Sequence, residues 1–590
     1  MSESMLLFSI GPVQSFIEQA RKTYDLFSGS SILSYLIDLA IRNLPKDAKL
    51  IFPYKELESK PNRFIAIINT QSNFNVAKRI EQIVRVGFKD MAIKAYKANI
   101  RNNNIPDAFI KQIDNMLEIN WVILSCEKAS YKSCYNEIER LMGSIKNIRY
   151  FNQVNEKGRK CSICGERNAL FYNSKDGHKP LYIQDDAIYL ENSYIDKGEG
   201  LCAVCFTKRF NKINPGLNEN FYSLAHIALI NVLNKIHDET GIRLITKYRG
   251  NFPSQYYDDE LLYKENINKA YLDKNMPRIN IDIEKVKNDL YELYKYFKDN
   301  NYKLNRYYAA IQFDGDSMGK WLSGIKLNTE IDLRDFHNDL TMRLGTFANY
   351  AKKYLKEKDY GNIVYAGGED FLGFLNIEYL FETLNEYRAT FDKIVSQPLK
   401  KYFKNKEDNI TFSAGIVISH YKTPLNIVLR TLRNAEKEAK CIDDEKNAFE
   451  LVLLKHSGEI NKTRLKWNYD EINIMNVINY ISEELRNKVF SNTFIRVLYN
   501  EINALNNGKQ LKPIKCLTEI EIDRLVTRSY LINKSVNETD EEYREKKKNA
   551  IKNMVDNMLE INTACIDDIE NYLSLLNILM FLSKEENYAN

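Results

Sequence analysis

The chain is short of most features that would settle its class at once. Its 590 residues contain no stretch approaching the roughly 18 uninterrupted apolar residues of a membrane span. The opening segment, MSESMLLFSIGPVQ, has no basic leader, and its apolar run is too short for a signal peptide. Charge of one sign is also missing. The 84 Lys+Arg against 79 Asp+Glu leave only +5, which excludes a protein whose function is charge itself but leaves room for a local basic groove. Histidine is scarce, at six residues. Nine cysteines spread over so long a chain, four of them in two C-x-x-C pairs, point to reduced thiols and a metal rather than a disulfide framework. A soluble cytoplasmic protein is expected.

What is present is enough apolar residue, 44%, to bury several cores, in a length that allows about three to five domains of roughly 100–200 residues each. LLFSI at 6–10 is a short apolar strand that runs into the breaker Gly11-Pro12. Ser15 to Leu39 turns helical, with an interruption expected near Ser28-Gly29-Ser30 and an apolar face of Leu33, Leu36, Ile37 and Ala40. LIFP at 50–53, RFIAII at 63–68, a helix near 76–100 and WVIL at 121–124 complete a β-α-β-β-α-β alternation. That is the ferredoxin-like pattern of polymerase and cyclase palms. Residues 129–300 read as a mixed, partly helical insert holding the cysteine pairs. At 307 a second palm begins. YYAAIQF is a strand, DGDSMG a turn and 331–357 a helix, and two short strands lie within 362–375. A helix at 376–403, the strand NITFSAGIVIS at 409–419, an amphipathic helix at 423–440 and FELVLL at 449–454 close it. From about 465 onward almost every window is helical, with the charge-dense stretch 538–552 a solvated face.

The expected class is therefore α+β: two ferredoxin-like palms, 1–128 and 301–460, a zinc-binding insert at 129–300 and an α-helical C-terminal domain at 461–590. The first turns of the palms echo each other, with Phe8, Ser9 and Ile10 set near Gln312, Phe313 and Asp314. Only the second copy carries acids.

Those acids are Asp314, Asp316, Glu369 and Asp370. Phosphoryl and nucleotidyl transfer needs divalent metals, and Mg²⁺ or Mn²⁺ takes hard oxygen ligands, usually one or two carboxylates beside phosphates and water. A palm supplies them by ending one strand in Asp beside a hairpin whose turn carries more. Gly367 and Gly368 allow a positive-φ turn and a close backbone approach to phosphate. On a regular strand Glu369 and Asp370 point to opposite faces, so Asp314 with at least one of the two is the favoured ligand set. Asp316 is the weaker candidate. Lys440 is placed to neutralise a triphosphate. The plainer reading makes each acid a turn cap, but the succession of strand-DGD, GGED hairpin and Ser413-Ala414-Gly415 strand argues against it.

Cys161-x-x-Cys164 and Cys202-x-x-Cys205 have the spacing of a tetrahedral Cys₄ zinc site, with Gly165 turning the first knuckle and His178 as a spare ligand. A closed thiolate site is structural. Cys126, Cys134, Cys441, Cys516 and Cys565 have no partner spacing and are expected to be small buried apolar residues. The basic stretch KTRLKW at 462–467 reads as surface charge, and no aromatic platform for single-stranded RNA stands out.

The sequence resembles the large subunit of type III CRISPR effector complexes, in the Cmr (III-B) branch. The matching text is GPVQSFIEQARKTYDLFSGSSILSYL at 11–36, PNRF at 61–64, the C-x-x-C pairs, DGDSMG at 314–319, YAGGED at 365–370, FSAGIVISHYKTPL at 412–425 and AEKEAK at 435–440. The resemblance implies a second palm that, with target RNA bound, joins ATP into cyclic oligoadenylate second messengers through two metals. It implies Asp314, Glu369 and Asp370 as metal carboxylates. It also implies a nucleotide site shaped by Gly315, Ser317, Gly367, Gly368, Ser413, Gly415 and Lys440, with Gly11 and Gln14 helping to form a second pocket between the palms. Implied partners are other Cmr-type subunits, guide CRISPR RNA and target RNA, with no membrane. Many relatives have GGDD where Glu369 stands here. No HD nuclease is expected, because the only His-Asp dipeptide, His237-Asp238, lies mid-chain, where His237 reads as an ordinary helix residue. Transfer of AMP to S-adenosylmethionine, a non-catalytic scaffold, or a stand-alone GGDEF-like cyclase are the alternative functions.

Overall fold

The computed structural model describes residues 3–69, 73–100, 104–126, 130–148, 158–173, 187–190, 195–196, 198–211, 221–276, 279–504, 511–535 and 538–584. His178 lies outside them.

The first palm is built on β1 (Ser4–Gly11), β2 (Lys49–Phe52), β3 (Arg63–Ile68) and β4 (Glu118–Ser125), in the order β2-β3-β1-β4. Its helices are α1 (Gln14–Glu18), α2 (Thr23–Arg42), α3 (Asn73–Asn99) and α4 (Asp107–Asp114). One face of the sheet presents Leu6, Phe8, Phe64 and Ala66 to α2 and α3. The alternate residues Met5, Leu7, Ile65 and Ile67 pack beneath α5 (Tyr131–Asn147), as the period of two in a strand demands. The expected interruption at Ser28-Gly29-Ser30 does not occur. α2 runs straight through it, and the break falls at residues 19–22 instead. The small residues serve packing: a Cβ on Gly29 would lie 3.4 Å from the Ile17 Cα and 3.2 Å from the Lys208 Cε.

The insert holds three short strands, β5 (Phe171–Asn173), β6 (Ile188–Leu190) and β7 (Gly200–Leu201), followed by α6 (Ala203–Phe210). Helices α7 (Leu224–Leu233), α8 (Glu239–Arg249), α9 (Lys269–Asn275) and α10 (Ile283–Asp299) complete it. Its core is continuous with that of the first palm. His237 is not helical. It is exposed in the turn between α7 and α8, where Asp238 caps α8 by accepting from the Gly241 N–H at 2.9 Å.

The second palm carries β8 (Tyr307–Gly315), β9 (Gly361–Ala366), β10 (Phe371–Asn376), β11 (Phe412–His420), β12 (Ala448–Leu454) and β13 (Ile460–Lys466), ordered β13-β12-β11-β8-β10-β9. Its helices are α11 (Met318–Leu322), α12 (Leu333–Lys358), α13 (Leu380–Phe391), the short α14 (Gln397–Leu399) and α15 (Leu425–Ala439). The helix expected at 376–403 forms as one unbroken helical run from Ile377 to Tyr402, in which a π-helical stretch at Asp392–Ser396 joins α13 to α14. FELVLL does not close the sheet. β13 pairs antiparallel with it and carries KTRLK inside the strand, so the palm extends to Lys466, past the expected boundary at 460. Beyond a ribbon of two two-residue strands within 468–473, the helices α16 (Ile474–Arg486), α17 (Thr493–Ala504), α18 (Lys515–Ser529), α19 (Asp540–Ala564) and α20 (Ile569–Lys584) form a bundle whose core merges with that of the second palm. The charged start of α19 is solvated, as its composition predicts.

The palms meet where α12 lies against β2 and α2 against β9. At that junction the Tyr131 hydroxyl lies 2.9 Å from the His337 Nδ1, and the His337 Nε2 lies 2.8 Å from the Leu322 carbonyl.

Two cysteine expectations fail. Cys126 and Cys134 are joined in a disulfide, their Cα atoms 6.0 Å apart between the end of β4 and the start of α5. Cys441 and Cys516 are exposed, whereas Cys565 is buried as expected.

Candidate active site and metal centres

β8 is flanked by β10 and β11, and its C-terminal end is where the second palm's acids gather. Phe313 stacks on Phe371 across the β8–β10 ladder, with centroids 4.6 Å apart. Asp314 follows Phe313 in β8 and Asp370 lies in the turn just before Phe371 opens β10, so the Phe313–Phe371 pairing brings both acids to one corner. The turn between β9 and β10 explains its glycines. Gly368 adopts φ 122°, which side-chain-bearing residues rarely reach, and a Cβ on Gly367 would lie 2.4 Å from the Asp370 Oδ1.

Lys440, the C-cap of α15, donates to the Asp314 carboxylate, and its Nζ lies 2.8 Å from Glu436 one turn earlier. Sequence reasoning did not single out Glu436. The Glu-x-x-x-Lys spacing inside AEKEAK was the available signal, since residues four apart share a helix face. Burial, together with the neighbouring Glu369 and Asp314, pushes the Asp370 carboxyl up to about 7. Burial also raises Glu369, against the opposing influence of Arg63. A carboxyl kept from ionising by burial and by adjacent acids is short of positive charge. Asp314 and Asp370 are hard oxygen donors on one corner, and this donor set fits a divalent cation.

Asp316 is placed differently. It is buried, and it accepts hydrogen bonds from the Thr411 Oγ1 at 2.8 Å, the Ser413 Oγ at 2.8 Å and the Asn447 N–H at 3.1 Å. Both its oxygens tie the DGDSMG turn to β11 and to the entrance of β12. Ser413 is fully buried in the same knot and accepts from the Ala448 N–H. Gly415 serves packing, since a Cβ there would come within 2.4 Å of the Leu432 carbonyl of α15. Gly315 lets the turn close, because a Cβ would lie 2.6 Å from the Met318 Cγ. These four residues therefore brace the site from within the fold.

Ser317, left-handed at φ 53°, does line open space. With Lys320, Lys440 and Lys446 it borders a pocket of 680 Å³ beside Asp314, with Asp443 and Asp444 on its rim. Gly11 ends β1 opposite Glu118, and Gln14 is exposed at the start of α1; neither borders this pocket. Their segment does touch the second palm, through an ion pair between Glu18 and Arg433 of α15.

In the insert, the sulfurs of Cys161, Cys164, Cys202 and Cys205 lie within 4.8 Å of one another. The Cys164–Cys202 separation is 3.8 Å, and tetrahedral zinc with Zn–S near ~2.3 Å requires sulfurs about 3.8 Å apart. The donor set and its spacing fit zinc. Gly165, at φ 66°, turns the first knuckle, and the Cys202 Sγ caps α6. α6 then reaches into the first palm. Arg209 makes two 2.7 Å bonds to Asp25 and one of 2.9 Å to Glu199, and all three side chains are at most 1% exposed. The Lys208 Nζ donates to the carbonyls of Phe16 and Gln19 at the end of α1. Much of the segment GPVQSFIEQARKTYD is thus a seat for the cysteine module.

The fold and this corner define a double-palm protein in which, among the described residues, the second palm's corner carries the carboxylates and the first palm's does not. Residues 307–450 match the family model described as Cas10/Cmr2, second palm domain, and residues 5–102 match that of CRISPR-associated protein Cmr2, N-terminal. The chain is 24% identical over 596 residues to the CRISPR system Cmr subunit Cmr2 of Pyrococcus furiosus, an alignment covering 82% of this chain. It spans 64% of that relative's length. Among solved structures, its fold is similar to chains of the type III-B Cmr-beta complex in the apo state and bound to cognate target RNA. The TM-scores are 0.61 and 0.62, at 14% and 13% identity, covering 92% and 99% of this chain and 78% and 83% of those. Two segments of the chain, 307–450 and 5–102, thus match Cas10/Cmr2 family domains.

Proposed function

We propose that the chain is the nucleotidyltransferase subunit of a type III-B CRISPR effector complex, joining ATP units into a cyclic oligoadenylate when target RNA is bound. The carrying observation is the corner where Asp314 and Asp370 flank the Phe313–Phe371 pair, with Lys440 of α15 donating to Asp314 and also lining a lysine-bordered pocket. Two Mg²⁺ or Mn²⁺ ions held there would lower the barrier to attack by a ribose hydroxyl and offset charge on the triphosphate. Lys440 and Lys320 face the phosphates, and Ser317 shapes the turn that receives them. Asp316, Ser413 and Gly415 keep β8, β11 and α15 in register, so that Asp314 stays in place. The Cys₄ cluster holds a structural zinc that fixes α6 against the first palm.

Guide and target RNA and other Cmr-type subunits are the partners in this reading. It draws support from the two segments that match Cas10/Cmr2 family domains and from the Cmr-beta complex of similar fold that was solved bound to cognate target RNA. Among the described residues no helix is long and apolar enough to cross a membrane.

Mass spectrometry of the products made by the assembled complex with cognate RNA tests the proposal, with ATP supplied alone and together with S-adenosylmethionine. Cyclic oligoadenylate in both arms is expected. A product formed only when S-adenosylmethionine is added would replace cyclisation with conjugation, and no nucleotide product in either arm would leave a scaffold.

A further inference from the structure

The disulfide joining Cys126 to Cys134 stands where the two palms meet, because α5, which carries Cys134, lies against α12 of the second palm. Cys126 directly follows the last residue of β4 and is half-buried, so the pair is open to attack by a thiolate from that end. Cys134 lies in the first turn of α5 and is buried in the core that also holds Met5, Leu7 and Ile65.

Each end of the pair is tied to the second palm through a neighbouring residue. The Cys126 N–H donates to the Glu3 carbonyl at 2.9 Å, and the Glu3 carboxylate lies 3.6 Å from the guanidinium of Arg334 at the start of α12. Next to Cys134, the Tyr135 ring packs on that of His337, their centroids 4.4 Å apart, and the Tyr131 hydroxyl meets the same histidine. The Lys132 Nζ donates to the Gly324 carbonyl at 3.4 Å, and Leu322 of α11 packs against the core that contains Cys134. A bond closing so short a loop fixes where α5 begins relative to β4, and with it the face that α5 offers to α11 and α12. The thiolates of the cysteine module fit a compartment that keeps thiols reduced, and there a disulfide is usually transient and redox-sensing rather than a permanent staple.

We propose that Cys126 and Cys134 form a thiol–disulfide exchange site that sets how firmly the first palm is seated on the second. A dithiol reductant supplies the electrons. Its thiolate attacks the Cys126 sulfur and Cys134 leaves as a thiolate, after which the second thiolate of the reductant displaces Cys126. The S–S bond of the chain is thus exchanged for one in the reductant, and the two protons of the dithiol end on Cys126 and Cys134. Reduction leaves Cys134 as a small buried apolar residue and releases the end of β4 from α5. The exchange is independent of which product the second palm makes.

The test uses the full chain as wild type, C126S and C134A, each after mild oxidation and after treatment with dithiothreitol. Peptide mapping under non-reducing conditions reads the bond. Oxidised wild type should yield a cross-linked peptide joining Cys126 to Cys134, and dithiothreitol should remove it. Hydrogen exchange read by mass spectrometry gives the consequence. In oxidised wild type, α5 and residues 318–341 should exchange at least about tenfold more slowly than in the reduced protein, with β9 to β13 unchanged. C126S and C134A should match reduced wild type under both conditions, which separates this pair from any response of the cysteine module to the reagent. Agreement between the two variants, which remove opposite ends of the bond, guards against a folding defect in either one. Absence of the cross-linked peptide after oxidation would overturn the proposal, as would equal exchange in the two redox states. Slowing confined to α5, with residues 318–341 unaffected, would overturn it too, since a staple local to the first palm does no more than that.

Discussion

The two palms share one plan and differ at one corner. β2-β3-β1-β4 in the first and β9-β10-β8-β11 in the second are the same strand order, each with a stacked Phe pair under its helices. At that corner the second palm has Asp314 and Asp370, and the first has Ser9 and Arg63. The second sheet continues through β12 and β13 and leans on the C-terminal bundle, while the first leans on the cysteine module through Arg209 and Lys208. A repeated scaffold can thus keep its packing and exchange its chemistry at two positions. Fold alone does not decide which copy is active, because function resides in the site.

The largest effect should come from removing the feature that distinguishes the corners. Asp370→Asn is expected to lower nucleotide product in the RNA-bound complex by at least ~100-fold, since a lost group that stabilises transition-state charge costs that order. Ser9→Asp in the first palm should add no activity, because Arg63 faces the new acid. Product formation by the Ser9→Asp, Asp370→Asn double variant would break the comparison.

Arg209→Met should come next. It leaves Asp25 and Glu199 buried without their counter-charge, and breaking a buried pair on one side costs about 3–5 kcal/mol. Hydrogen exchange should locate the loosening in α1, α2 and α6 and leave β8 to β13 protected. Uniform loosening of both palms would contradict the separate support inferred for each.

Gly415→Ala is expected to destabilise the second palm by about 1–3 kcal/mol, as an added methyl in a packed contact does, and to displace α15 and with it Lys440. Chemical denaturation reads the first effect, and ATP affinity reads the second.

The smallest effect concerns the junction and its pH dependence. Burial lowers the His337 pKa to about 4 from an ordinary 6.5, and the ring is held neutral, accepting from Tyr131 and donating to the Leu322 carbonyl. A proton that the unfolded chain accepts below 6.5 is refused by the folded one, so stability is lost as pH falls from 6.5 toward 4. Thermal midpoints of wild type should fall over that window more steeply than those of His337→Gln. Parallel slopes would show that the histidine does not contribute.

Much of this was legible in the sequence. RFIAII at 63–68 is the strand β3 to the residue, and the period of its apolar neighbours gave the ferredoxin-like order. β13 was not legible, because an edge strand reading INKTRLK hides two inward residues, Thr463 and Leu465, among charges. The palm alignment placed Phe8 one residue early, against Gln312, because a short match cannot distinguish the two faces of a strand, whereas the Phe8–Phe64 and Phe313–Phe371 stacks can. Among the acids, Asp314 and Asp370 could be told from Asp316 only by their partners. Thr411 and Asn447, which occupy Asp316, lie 95 and 131 residues away in the chain. The Cys126–Cys134 pairing spans only 8 residues, but it depends on how α5 packs back against the end of β4.

The most direct test of the account is to locate the metals themselves, by anomalous scattering from crystals of the chain holding Mn²⁺ and a non-hydrolysable ATP analogue. The account predicts density shared by Asp314 and Asp370, with Asp316 still bonded to Thr411 and Ser413 and nothing at the Ser9–Arg63 corner. Density centred on Asp316, or bound in the first palm, would contradict it.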